Sequence, residues 1–287
     1  MAKWVAGARP RTLPVSAAPV VVGTAAAYHA AGAVLWWRAV AALVVALALQ
    51  VGVNYANDYS DGVRGTDAER RGPLRLTATG LATPAAVKRA AGLSFAVAGV
   101  VGLVLSLAVN PWLLLVGAAA LVAGVLYTGG PKPYGYLGLG EVMVLVFFGF
   151  VATVGSAYVQ HETVPATAWW GSLVVGLPTV AVLLANNIRD VPTDAVTGKR
   201  TLAVRIGAPA ARVLFSVCIA GAFAALVPIV LDAPWAALGF LALPLGAVPV
   251  RLIHTRHDPP GLVAALVATV RCTIVLGALC AIGLVVS

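Results

Sequence analysis

Nine stretches of about twenty mostly apolar residues follow one another along the chain, near 12–30, 36–56, 85–108, 111–129, 138–160, 165–188, 209–231, 234–253 and 261–285. A helix of roughly 20 residues matches the thickness of a bilayer's hydrocarbon core. No water is present there to satisfy backbone N–H and C=O groups, so such segments must fold as helices that bond within themselves. Of 287 residues, 61% are hydrophobic and only 10% charged, whereas a soluble domain has about a quarter charged. Too little polar sequence remains for a separate soluble domain. The expectation is an all-α integral membrane protein of about nine transmembrane helices, forming a single domain over 1–287.

The formal net charge of +9 does not describe a nucleic-acid binder, because the basic residues gather on no amphipathic surface. All but Arg38 and Arg271 of the 19 lie before the first run or between runs two and three, four and five, six and seven, or eight and nine. These are alternate connections, hence one side of the membrane. The positive-inside rule makes that side the cytoplasm, with the N-terminus there and the C-terminus outside. Lys3, Arg9 and Arg11 before an apolar run resemble a signal peptide, but the succession of further runs favours a retained first helix. Cys218, Cys272 and Cys280 lie inside apolar runs with no paired spacing, which indicates neither disulfide nor zinc. Arg271, within the ninth run, must face a cavity or snorkel.

Two polar loops, about 57–84 and 189–208, fall on the basic side, and both begin with acidic motifs. Asn54, Asn57, Asp58 and Asp61 are spaced i, i+3, i+4 and i+7, which puts them on one helix face; Asp67 and Glu69 follow. The second motif holds Asn186, Asn187 and Asp190 on one stripe, then Pro192, which disfavours helix at Val191 and makes Asp194 the expected start of a loop or new turn. Six of the ten acidic residues thus stand at two helix ends on one side. Clustered carboxylates repel unless cations lie between them, and hard oxygen donors suit Mg²⁺, which takes a few carboxylates together with phosphate oxygens. Nearby arginines and lysines are then available to a diphosphate. The triplets Arg75-Leu76-Thr77 and Arg200-Thr201-Leu202 follow the two motifs at similar places, as an internal repeat of runs 1–4 and 5–8 with the ninth appended would produce.

These motifs resemble those of the UbiA superfamily of intramembrane aromatic prenyltransferases, over nearly the whole chain. The stretches Ala8 to Pro14, Asn57 to Asp67, Gly72 to Thr77, Tyr127 to Pro131 with Gly140-Glu141, and Asn186 to Thr201 resemble its MenA branch, the 1,4-dihydroxy-2-naphthoate polyprenyltransferases of menaquinone biosynthesis. The resemblance implies helices around a central cavity capped by the two cytoplasmic loops, in a bacterial cell membrane. It implies polyprenyl diphosphate and 1,4-dihydroxy-2-naphthoate as substrates, and two Mg²⁺ ions. Asp58, Asp61 and Asp67 would hold one ion, and Asp190 and Asp194 the other. Asn57 and Asn187 would support phosphate oxygens or the metal shell. Arg64, Arg75, Lys132, Lys199 and Arg200 are candidates for the diphosphate, and Lys132 and Arg75 also for the acceptor's carboxylate. Tyr127 would face an allylic cation, with Tyr134 near it. Other acceptors of the superfamily, 4-hydroxybenzoate or homogentisate, stay open at this point.

Some residues are read without a fixed role. Glu141 is either an acid behind the site or a helix N-terminal charge. His254 and His257 lie in a loop next to Asp258-Pro259-Pro260 and are not expected to bind metal. A secondary transporter is the competing class, but its site would lie near the bilayer midplane, and these acids stand at helix ends.

Overall fold

The computed structural model describes residues 2–65 and 74–287, so the expected metal ligand Asp67 lies outside the described residues. The described chain is helical throughout. A short helix α1 (Ala2–Gly7) leads into α2 (Pro14–Ala31), α3 (Trp36–Arg64), α4 (Pro84–Val109) and α5 (Leu113–Leu126). Then come α6 (Gly140–His161), α7 (Ala166–Val196), α8 (Leu202–Asp232), α9 (Pro234–Thr255) and α10 (Pro259–Val286).

Seven of these, α3, α4 and α6 to α10, are long and apolar enough to cross a membrane. The expectation was nine. Helix α5 has 14 residues, roughly 21 Å at 1.5 Å per residue, against a hydrocarbon core of about 30 Å. Helix α2 has 18 residues, including Pro19, Ser16 and Thr24. It packs against α3, α6, α7 and α10 and is mostly buried, so small residues serve it better than large apolar ones. The outward faces of other helices carry large apolar side chains, as Leu93, Val97, Val100, Val104 and Leu107 do along α4. Arg271 is exposed on α10, so it does not face the interior as one expectation had it.

Close packing sets the helix spacing. A Cβ added at Gly23 of α2 would stand 2.1 Å from the Thr153 carbonyl oxygen of α6, and one at Gly176 of α7 would stand 2.8 Å from the Gly149 Cα of α6. Backbones approach this closely only where side chains are absent. Gly149 lies in a π-helical stretch, Leu145–Val151, which widens the turn of α6 facing the cavity described below.

Two helices run longer than a membrane requires. Helix α3 has 29 residues and α7 has 31, roughly 44 and 46 Å, so each projects beyond a core of about 30 Å. The expectation that helix breaks at Pro192 is corrected, because α7 continues through it to Val196. Pro192 removes one backbone bond. The Thr193 hydroxyl donates to the Asp190 carbonyl at 3.0 Å, and Thr197 donates its N–H to the Thr193 carbonyl at 3.1 Å. Val191 also packs on the core. Tertiary packing outweighs the local preference, and Asp194 therefore shares a stripe with Asn187 and Asp190. Helix α8 begins at Leu202, earlier than expected, and breaks at Gly207, whose φ of 81° and ψ of 154° no helix contains.

Candidate active site

One elongated cavity of about 1260 Å³ connects the two acidic helix ends. Its polar end is lined by Asn57, Asp61, Arg75, Asn187, Asp194 and Lys199, and its apolar length by residues such as Val45, Gly102 and Gly117 of α3, α4 and α5. Along α3 it reaches from Asp61 to Ala42, roughly 28 Å.

Asp61 is the hub of the polar end. It is 2% exposed. It accepts from the Tyr136 hydroxyl at 2.5 Å, and it faces the Lys199 ammonium at 3.2 Å and the Arg75 guanidinium at 3.5 Å. The Tyr136 ring carries Lys199 at 4.6 Å and Arg64 at 5.3 Å from its centroid. Four segments distant in sequence are joined here: the end of α3, the turn that holds Arg75, the Tyr134–Leu137 turn between α5 and α6, and the turn after α7. A buried carboxylate needs such partners, since desolvated charge without them is expensive.

Asp58 does something different. Its two carboxylate oxygens accept from the backbone N–H groups of Leu76 and Thr77 at 2.7 and 2.8 Å. Leu76 is fully buried in a small cluster with Tyr55, Val87 and Ala91. Asp58 thus seats the turn that delivers Arg75 to Asp61. A second latch ties α3 to the segment after α5: Ser60 donates to the Thr128 carbonyl at 2.6 Å, and Thr128 donates to Asn57 Oδ1 at 2.8 Å.

On α7, Asp190 is held by the Arg189 guanidinium through two bonds of 2.7 and 2.8 Å, and the same guanidinium reaches Asn186 at 2.7 Å. Asn187 donates to Glu141 Oε1 at 2.8 Å. The Asp194 carbonyl accepts from the Lys199 N–H at 2.9 Å, closing the turn whose Gly198 has a φ of 77°. Tyr127 lines the cavity, edge-on to Tyr134 at 5.5 Å between centroids. The Tyr134 hydroxyl donates to the Ala123 carbonyl, and burial pushes its pKa up to about 12, so it stays neutral.

The structure therefore gathers Asn57, Asp61, Arg75, Tyr127, Asn187, Asp194 and Lys199 around one cavity, with Asp58 and Asp190 buried nearby. Arg64 and Arg200 are exposed at its rim, and Arg200 contributes its backbone N–H to the Tyr136 carbonyl at 3.0 Å. Lys132 is exposed and off the cavity wall. The flanking prolines Pro131 and Pro133 hold it on an outward turn, away from the position expected of it.

A model of the UbiA prenyltransferase family matches residues 16–266. The chain belongs to the UbiA prenyltransferase family. It is 51% identical over 255 residues to the 1,4-dihydroxy-2-naphthoate octaprenyltransferase of Mycobacterium tuberculosis, covering 87% of this chain and 86% of that one. With the protein of the same name from Escherichia coli it shares 35% identity over 99% of this chain and 95% of the relative. Its fold is similar to that of a UbiA homologue from Archaeoglobus fulgidus solved with GPP and Mg²⁺, at a TM-score of 0.68, 14% identity, and coverage of 97% of this chain and 99% of that one.

Whether the UbiA site fits a divalent cation is a question of donor chemistry. Among the described residues, no three carboxylate, histidine or cysteine side chains assemble as a metal cage. Mg²⁺ does not require one, because it keeps waters and substrate phosphates around one or two carboxylates. Asp61 and Asp194 line the cavity as hard donors, and the Asn187 amide, whose NH₂ is bonded to Glu141, has its oxygen left to join them. The residues fit.

Sequence reasoning missed three residues of the UbiA site. Tyr136 had no motif to flag it beyond its position after Gly135. Arg189, next to Asp190, read as a topology signal. Arg9 falls in the Ala8 to Pro14 stretch that carries the resemblance but receives no role from it, yet it lines the cavity and has a left-handed backbone, φ 58°. That conformation is uncommon outside glycine and asparagine, and such strain concentrates at functional sites. The Ala8 carbonyl, bonded by the Asn54 amide at 2.9 Å, and the Arg9 carbonyl, bonded by the Thr12 N–H and hydroxyl, hold it there.

Proposed function

We propose that this protein transfers the polyprenyl group of an isoprenyl diphosphate to 1,4-dihydroxy-2-naphthoate, releasing CO₂ and diphosphate and forming demethylmenaquinol. The observation that carries this reading is one cavity with an acid-and-cation cluster at one end and an apolar channel for the rest of its length. An amphiphile with a diphosphate head and a hydrocarbon tail has that shape and polarity.

Lys199 and Arg75, now on Asp61, are the cations nearest a diphosphate seated at the polar end. Asn57 adds an amide donor. Divalent cations bound at the Asp61 and Asp194 sides, one at each, would neutralise charge on the departing diphosphate. The allylic C–O bond breaks with its electron pair going to the diphosphate. The ring carbon bearing the carboxylate forms the new C–C bond, and the C–CO₂ pair returns to the ring as CO₂ leaves. Tyr127 presents an aromatic face to the allylic cation, and the apolar channel keeps out water that would capture it. Arg9 takes the place first given to Lys132, as the guanidinium that holds the acceptor's carboxylate apart from the diphosphate cluster.

We also read α2 and α5 as crossing the membrane within the bundle, which makes nine crossings and leaves the polar end of the cavity cytoplasmic. The test of function is to give purified protein a polyprenyl diphosphate, Mg²⁺ and naphthoate labelled at the carboxyl carbon. Labelled CO₂ released in step with prenylated product is the expected result, lost in EDTA and restored by Mg²⁺. Turnover of 4-hydroxybenzoate with none of the naphthoate would move the protein to another UbiA acceptor class.

A further inference from the structure

Glu141 stands in the first turn of α6 and is 4% exposed. Its Oε1 accepts from the Asn187 side-chain amide at 2.8 Å. Its Oε2 is buried with no hydrogen-bond partner among the described residues. Burying a carboxylate for a single bond is unfavourable, and an apolar side chain would fill the same space at less expense. What a carboxylate offers is an oxygen that accepts and never donates. Opposite it, an asparagine must present its NH₂ group, which turns the amide oxygen away. Asn187 lines the cavity and precedes Asp190 by three residues and Asp194 by seven, on one stripe of α7. The contrast with α3 is informative. There Asn57 Oδ1 is taken by the Thr128 hydroxyl, so Asn57 keeps its NH₂ for the cavity. The two asparagines present opposite ends.

We propose that Glu141 is a positioning residue that holds Asn187 with its amide oxygen toward the cavity, as a hard ligand for a divalent cation beside Asp194. This rests on the metal-assisted reading above and adds to it a residue that touches neither substrate nor metal. It also assigns different ligand chemistry to two asparagines that sequence treats alike. Partners behind a metal ligand commonly govern affinity by about 10- to 100-fold.

The experiment measures Mn²⁺ binding by electron paramagnetic resonance, using the purified full chain and an unreactive thiolo-diphosphate analogue of the prenyl donor. Glu141→Ala should weaken Mn²⁺ binding by roughly 10-fold or more. The exchanged double variant Glu141→Gln with Asn187→Asp should recover most of it, because glutamine NH₂ then pins one carboxylate oxygen and leaves the other for the metal. Recovery also separates positioning from folding, since the exchanged variant, like the parent, keeps the buried pair filled. Parental Mn²⁺ affinity in Glu141→Ala, or an exchanged variant no better than that single one, overturns the proposal. Failure of the parent chain itself to take up Mn²⁺ with the analogue overturns the metal reading, and this inference with it.

Discussion

At the scale of single residues, two aspartates three positions apart have separate duties. Asp61 collects a tyrosine hydroxyl, a lysine and an arginine at the cavity wall. Asp61→Asn should leave a folded protein whose turnover falls by about 10²–10³, the scale of losing one electrostatic contributor to a transition state. Asp58 bonds two buried backbone amides. Asp58→Ala should lower stability as well as activity, by about 2–5 kcal/mol for two orphaned donors, read as a fall in the melting temperature in detergent. Equal melting of the two variants would refute the division. Arg9→Ala should raise KM for the naphthoate at least 10-fold with KM for the diphosphate nearly unchanged, and Lys132→Ala should match the parent in both. A rise in the diphosphate KM instead would place Arg9 in the other subsite. The spacing of Asn57, Asp58 and Asp61 was legible because a helix repeats every 3.6 residues. Arg9 and Tyr136 were not, because neither belongs to a periodic pattern and each reaches the site only through a turn.

At the scale of elements, hydropathy located the helices and local rules misjudged their ends. Pro192 and Gly207 both signal a break, yet only Gly207 makes one. At Pro192 threonine hydroxyls and core packing compensate for one missing N–H, whereas Gly207 adopts a positive φ that nothing in a helix can absorb. The close approach of α2 and α6 at Gly23 gives a sharp expectation. A valine there would meet a carbonyl oxygen, and overpacking of this kind costs about 3 kcal/mol or more. Gly23→Val should unfold at markedly lower temperature than Gly155→Ala, whose added Cβ meets nothing within 4 Å. Similar melting of both would mean that the helices can part without penalty.

At the scale of the whole molecule, thiol labelling reads the orientation in the membrane. The native thiols Cys218, Cys272 and Cys280 are buried and can be removed. A cysteine at exposed Thr197 should then be shielded from an impermeant thiol reagent in intact cells, and one at exposed Glu162 labelled. Labelling in the reverse order would turn the cavity's polar end outward. The bundle explains why both acidic motifs matter together. The ends of α3 and α7 meet at one cavity, and Arg75 and Lys199, from the segments that follow each, both reach Asp61.

The helical class and the two acid-bearing helix ends were legible in the amino-acid order alone, while the expectation of nine spanning helices met seven of sufficient length and apolarity among the described residues. What was legible is local or periodic, written in hydropathy, charge and 3.6-residue spacing. Only the tertiary structure decided which acid serves the cavity and which seats a turn. It also decided that Lys132 is exposed while Arg9 lines the cavity, and that Asn187 spends its NH₂ on Glu141 where Asn57 spends its oxygen on Thr128. Those assignments depend on partners tens of residues away, such as Thr128 for Asn57 and Glu141 for Asn187. A side chain's role in a buried site is set by what satisfies its other atoms, and no spacing along the chain records that.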